Sequence, residues 1–249
     1  MKYGIVQLNV VSLRETPNDT AEQVSQILYG ELFKVLEVRK KWSRIRLAFD
    51  KYEGWVDNNQ FVFCEEEEYK IYSKQTPILS SNLVDFITLS NEQLMPVSQG
   101  ITLNTLSILG HKFEGSSTDQ KQEKSHLIES ALSYLNAPYQ WGGKTPFGID
   151  CSGFTQMVYK LNGYKLKRDA SQQATQGEAL SFIEESEPGD LAFFDNEEGR
   201  IAHVGIIMKD NFIIHAHGKV RIDRIDHTGI FNAEKRTHTH KLRVIKRII

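Results

Sequence analysis

Gly148-Ile149-Asp150-Cys151-Ser152-Gly153-Phe154 decides how the second half of this chain is read. Beyond it, apolar side chains fall at Phe154, Met157, Val158 and Leu161, a 3.6-residue stripe that Asn162-Gly163 ends. The spacing predicts a helix with Cys151 in its first turn. Unpaired N–H groups and the macrodipole at such a position favour thiolate over thiol, which makes Cys151 a candidate nucleophile. On this stretch alone, a small buried apolar cysteine is an equally good reading.

Two apolar runs downstream, residues 201–208 and 211–216, read as strands, and each carries one histidine, His203 and His215. A thiol nucleophile needs an imidazole as base, and that imidazole needs a further polar group to hold its tautomer and orientation. A cysteine at a helix start followed by two strand-borne histidines is the chain order of a papain-like thiol peptidase.

Five blocks occur in order: Asp150-Cys151-Ser152-Gly153-Phe154, Arg168-Asp169-Ala170-Ser171-Gln172-Gln173, Pro188-Gly189-Asp190-Leu191-Ala192-Phe193-Phe194, His203-Val204-Gly205-Ile206 and Ile214-His215-Ala216. Together they resemble the NlpC-type (NlpC/P60) cell-wall peptidases over residues 117–249. The preceding region resembles the bacterial SH3-type modules that accompany YkfC-like members, γ-D-glutamyl-L-diamino-acid endopeptidases of murein peptides. The resemblance implies an α+β fold: a papain-like domain, with the cysteine helix packed on an antiparallel sheet, preceded by one or two SH3-like β-barrels. It also implies Cys151 as nucleophile, His203 as base and His215 as the group that orients the base, with no cofactor. The oxyanion would be held by the Cys151 N–H and by Tyr139, with Asp150 and Ser152 shaping the cleft floor. Asp169 matches the residue that binds the free amino group of the substrate in those relatives. The next position, Ala170, is often a serine there, and the missing hydroxyl puts one substrate contact, but not the chemistry, in question. Expected substrates are murein stem peptides with an unblocked N-terminal L-Ala.

Read without the resemblance, some of these residues have plainer roles. Asp169 precedes a short helical pattern and reads as its N-cap, worth about 1 kcal/mol. Tyr139 lies in Tyr139-Gln140-Trp141-Gly142-Gly143-Lys144, whose adjacent glycines let backbone approach a ligand closely, and it could equally be a packing aromatic.

In the first quarter of the chain, short alternating runs separated by turns suggest a small barrel over residues 1–63. Gly30-Glu31-Leu32-Phe33, Lys41-Trp42-Ser43-Arg44-Ile45 and Gly54-Trp55-Val56 carry the SH3-type resemblance. Trp42 reads as core, whereas Tyr52, Glu53 and Trp55 read as a rim facing a neighbouring domain, which makes Glu53 and Trp55 candidate substrate contacts. The four acids Glu65 to Glu68 read as a solvated boundary. Residues 64–116 suggest more strands, either a second, degenerate SH3-like unit or an irregular connecting one. Caps among Ser116, Ser117, Thr118 and Asp119 precede a helical stripe of Leu127, Ile128, Ala131, Leu132 and Leu135.

Charged residues are 25% of the chain and the net charge is −2, which leaves no electrostatic footprint for nucleic acid or an anionic membrane. Neither partner is expected. With no apolar h-region near Met1 and no run of 18 apolar residues, the expected location is cytoplasmic. A disulfide between the two cysteines, Cys64 and Cys151, would consume the nucleophile, and so low a count fits a reducing compartment. The pairs His215/His217 and His238/His240 have strand spacing for a shared metal, but no cysteine pair or His-Glu helix motif completes a site, so no metal is expected. The rival from another class is a peptide or cell-wall binding protein with an inactive peptidase-like domain.

Overall fold

Alternation of side chains along short strands builds the first barrel. In Trp42–Leu47, for example, Ser43, Ile45 and Leu47 are buried while Arg44 and Arg46 face out. In this computed structural model, which describes residues 1–249, the chain divides into two compact units, Met1–Gln120 and Lys121–Ile249. The principal sheet of the first unit is seven-stranded, in the order Gln23–Leu28, Val10–Arg14, Glu53–Asp57, Trp42–Leu47, Leu32–Val38, Lys2–Ile5 and Val62–Cys64. Its core gathers Val11, Leu13, Ile27, Phe33, Ile45, Val56 and Phe61.

The acidic run is not a linker. Glu65 caps the helix Glu66–Tyr72 in a capping box with Glu68, and acids in a first turn are stabilised by the N–H groups and dipole there. Residues 64–116 go on to form a three-stranded antiparallel sheet, in the order Leu94–Ser98, Val84–Thr88, Lys112–Phe113, and contribute Leu79–Ser80 to a pair with Ser117–Thr118. That pairing takes the residues expected to cap the next helix. The helix begins later, at His126–Leu132, and buries Leu127 and Ala131 of the expected stripe.

The second unit is α+β. Its strands Leu191–Asp195, Ile201–Ile207, Phe212–His217, Lys219–Ile225, Gly229–Asn232 and Thr237–Arg247 pair in succession, and the last also pairs with the first, so the sheet closes on itself. Glu178–Leu180 is appended to the outside of Thr237–Arg247. Closure leaves no free edge in the ring. Ala192, Phe194, Ile207, Ile213, Ile225, Ile230 and Ile245 fill the interior. The helix Cys151–Leu161 packs against Ile201–Ile207 and Phe212–His217, and every one of its residues is buried. No helix of the chain is long and apolar enough to cross a membrane.

Candidate active site

Asp150 sets the start of the cysteine helix. Its extended backbone leaves the helical path, and its carboxylate accepts the N–H of Gly153 at 2.6 Å, an N-cap bond. The same carboxylate accepts the Gly142 N–H at 2.8 Å and takes the guanidinium of Arg168 at 3.0 and 2.6 Å, one bond to each oxygen. Ser152 donates to it at 3.3 Å and accepts from Arg168 at 2.9 Å. With its lone pairs so filled, Asp150 holds the loop, the helix start and Arg168 together. Arg168 is only 1% exposed.

Two more side chains fasten this corner. Gln173 donates to the Ser152 carbonyl at 2.9 Å and accepts from the Thr155 hydroxyl at 2.7 Å. Gly153 must be glycine, because a Cβ there would lie 2.2 Å from the Gly143 carbonyl oxygen. The blocks around residues 150 and 168 are thus two halves of one polar clamp, a role that the sequence does not reveal.

Period-two alternation puts His203, Gly205 and Ile207 on the interior face of the closed sheet, and Ile213 and His215 likewise. The histidines therefore form a polar layer at one end of the isoleucine core. Gly205 lies opposite His215, and a Cβ at Gly205 would come within 2.9 Å of the His215 Cβ. Its absence lets the two rings meet: His203 Nε2 and His215 Nδ1 are 2.8 Å apart.

The line continues. His215 Nε2 lies 3.0 Å from Asp223 Oδ2, and Arg221 donates to both Asp223 oxygens at 2.7 and 3.0 Å. Asp223 pairs in register with Ile213, two residues from His215, so the two side chains are diagonal neighbours on one face. Sequence reading misses Asp223 because that register is not written in the residues of either strand.

His240 is a second omission. Weighed in the sequence only as half of a metal pair with His238, it stacks on His203 with centroids 4.2 Å apart and planes at 27°. His217 meets His240 edge-on at 4.8 Å. His238 turns instead to Asp226, at 2.9 Å. No trio of His, Cys, Asp or Glu side chains is arranged to hold an ion.

The thiol of Cys151 receives a hydrogen bond from the N–H of Val204, the residue after His203. Burial pushes this thiol up to about 12, and the Asp150 charge adds to the effect; the Val204 bond, Arg168 and the Ser152 N–H offset part of it. This corrects the expectation of a thiolate favoured by its helix position. Desolvation outweighs the helix end at a side chain only 5% exposed. Burial holds His203 well below the usual imidazole range, and the neighbouring His215, His240 and His217 push the same way. His215 is lowered by burial against the opposing pull of Asp223. Burial alone would raise the Asp223 carboxyl, but its bonds from His215 and Arg221 outweigh that and keep it below the usual carboxylate range. Either charge of a thiolate–imidazolium pair is costly here without the other.

Of the remaining candidates, Tyr139 is half-buried, and its hydroxyl is pushed up by burial and then by the charges of Cys151 and Asp150. Asp169 caps the helix Ala170–Gln173 in a capping box with Gln172. In the first unit, Glu53 takes Arg44 at 2.8 Å and Arg46 at 2.6 Å, and the Arg39 guanidinium lies over the Trp55 ring at 4.3 Å.

A buried helix that presents a cysteine to a strand of an antiparallel sheet carrying paired histidines defines the papain-like class of α+β domain. Residues 136–239 match the NlpC/P60 family and residues 13–61 match the bacterial dipeptidyl-peptidase SH3 domain. The chain thus carries an NlpC/P60 domain together with a bacterial SH3 domain of the dipeptidyl-peptidase type. It is similar to a γ-D-glutamyl-L-lysine dipeptidyl-peptidase of Bacillus subtilis, 28% identical over 77% of this chain and 71% of that protein. A dipeptidyl-peptidase 6 of Lysinibacillus sphaericus is 27% identical over 90% of this chain and 92% of its own length. An NlpC/P60 family protein from Bacillus cereus shares the fold with a TM-score of 0.76 over 99% of both chains, at 18% identity.

Proposed function

We propose that the protein is a cysteine peptidase of the cell wall's peptides, hydrolysing the γ-D-glutamyl-L-diamino-acid bond of free murein stem peptides during cytoplasmic recycling. The observation that carries the reading is the line from His203 through His215 to Asp223 beside the Cys151 thiol. Similarity to γ-D-glutamyl-L-lysine dipeptidyl-peptidases supports the choice of bond.

Cys151 Sγ attacks the γ-carbonyl carbon as His203 takes the thiol proton, so the two buried groups become charged in the same step. The Cys151 N–H and the Tyr139 hydroxyl stabilise the oxyanion. The tetrahedral adduct expels the diamino acid's amine, protonated by His203, and leaves a thioester. Water, deprotonated by His203, then releases the L-Ala-D-Glu acid and the thiol. His215 holds the base in its plane. Asp169 pairs with the substrate ammonium, while Ser152 and the Asp150 clamp keep the cleft floor in place.

The test is mass spectrometry of digests of L-Ala-γ-D-Glu-L-Lys, its meso-diaminopimelate analogue and the N-acetylated forms. The expected result is release of L-Ala-D-Glu from free peptides, slowed at least 100-fold by N-acetylation. Loss of the ammonium from this half-buried carboxylate removes a charge-assisted hydrogen bond worth roughly 1.5–3 kcal/mol, and the added acetyl group must also be accommodated, which together cover that factor. Absence of L-Ala-D-Glu from every substrate would end the reading. Equal cleavage of free and acetylated peptides would end the role given to Asp169.

A further inference from the structure

The polar line at the end of the closed sheet has a direction. Asp223 is an acceptor only, and it is held as one by Arg221, whose two N–H groups reach both of its oxygens at 2.7 and 3.0 Å. The contact at 3.0 Å from His215 Nε2 must therefore be a donation by that nitrogen. A neutral imidazole carries one N–H, so His215 Nδ1 is left as a lone pair. The 2.8 Å contact between the rings then requires His203 Nε2 to donate. By the same rule, His203 keeps its lone pair on Nδ1.

We infer that Asp223, clamped by Arg221, is a positioning residue that fixes the tautomers of His215 and His203 in series, so that His203 Nδ1 is the one nitrogen able to accept the thiol proton. The inference rests on the peptidase reading of the site and adds to it the atom that acts as base and the residue that selects it. Burial sharpens the selection. Asp223 is 6% and His215 1% exposed, so no solvent competes for either nitrogen of His215. With Asp223 neutralised, the line loses its fixed end: His215 can carry its proton on Nδ1 and donate it to His203 Nε2. The His203 proton then moves to Nδ1, where it blocks the base. An amide in place of the carboxylate also gives up one of the two Arg221 bonds, but no group of this line contacts Cys151 except through His203, so substrate binding is spared and the loss falls on kcat.

Two measurements test this. Nitrogen-15 spectra of imidazole-labelled wild type at neutral pH should show N–H at Nε2 and a bare Nδ1 in both His203 and His215. A protonated His203 Nδ1 in the resting enzyme would overturn the inference, whatever the activity. Conversely, the expected tautomers in a protein that releases no L-Ala-D-Glu would leave this inference standing and remove the peptidase reading. The kinetic arm uses Asp223→Asn, for which we expect a loss on the order of 10- to 100-fold in kcat, the usual range for a residue acting through another, with KM unchanged. In a His215→Gln background, which has no imidazole to orient, Asp223→Asn should cost little more. An equal additional loss in that background would mean that Asp223 acts as a general structural support and not through the tautomer of His215.

Discussion

Replacing Arg168 by leucine removes the guanidinium that holds both oxygens of Asp150 and the Ser152 hydroxyl, at 2.6, 3.0 and 2.9 Å. Both ion partners are buried, Arg168 at 1% and Asp150 at 5% exposure, so solvent does not replace the lost bonds. Removing one partner of such a pair costs about 3–5 kcal/mol, because the other charge stays behind. Asp150 keeps the N–H groups of Gly142 and Gly153, which sets the loss near the lower end, about 3 kcal/mol. In a unit of this size each kcal/mol moves the midpoint by roughly 3–5 °C, so the Lys121–Ile249 unit should melt about 9–15 °C lower. Calorimetry follows that transition, and Arg168→Lys, which keeps the charge but not the fork, should fall between the two. Adding Asp150→Asn to Arg168→Leu should recover part of the loss, since no unpaired charge remains. A loss below about 1 kcal/mol in Arg168→Leu would refute the clamp as an energetic unit.

The remaining predictions concern the chemistry and its acid limit. Cys151→Ala should abolish hydrolysis without unfolding, whereas Cys64→Ala should be nearly silent; peptide digestion beside circular dichroism checks both. His203→Ala should lose hydrolysis together with the base-assisted part of Cys151 alkylation, while His215→Gln keeps a measurable part of each, and the reverse order would exchange the roles of the two histidines. His240 is held down to about 4 by burial and then by the charges of His215 and His217, against 6.5 for a free histidine. Between those values the unfolded chain binds the proton and the folded one does not, so stability falls as pH drops from about 6.5 toward about 4. Urea midpoints across this window should fall less steeply in His240→Phe than in wild type, and identical slopes would contradict a half-buried, neutral His240.

Features written over one turn or one strand could be read from sequence. The stripe from Phe154 to Leu161 marks the cysteine helix, and His203 and His215 stand out as single polar residues in apolar runs. The alternation of Trp42–Leu47 announces a barrel strand. What could not be read depends on how distant segments meet. Asp223 reaches His215 only through the register of two strands, and His240 reaches His203 only because the sheet closes. The acids after Cys64 illustrate a different limit, since a solvated charge run and the first turn of a capped helix have the same composition. The thiol's ionisation is decided by burial, which local pattern does not report.

Closure of the sheet by Thr237–Arg247, which pairs with both Leu191–Asp195 and Gly229–Asn232, has a consequence for synthesis. The strand that completes the ring is the last of its strands to emerge from the ribosome, after the cysteine helix and both paired histidines. Joining it to Leu191–Asp195 closes a long loop, an entropic cost that contacts repay only afterwards. A nascent chain therefore displays the cysteine before the hydrophobic interior beneath the histidine layer is sealed. The full layer of His203, His215 and His240 is in this sense a property of the finished ring, because His240 arrives on the strand that closes it.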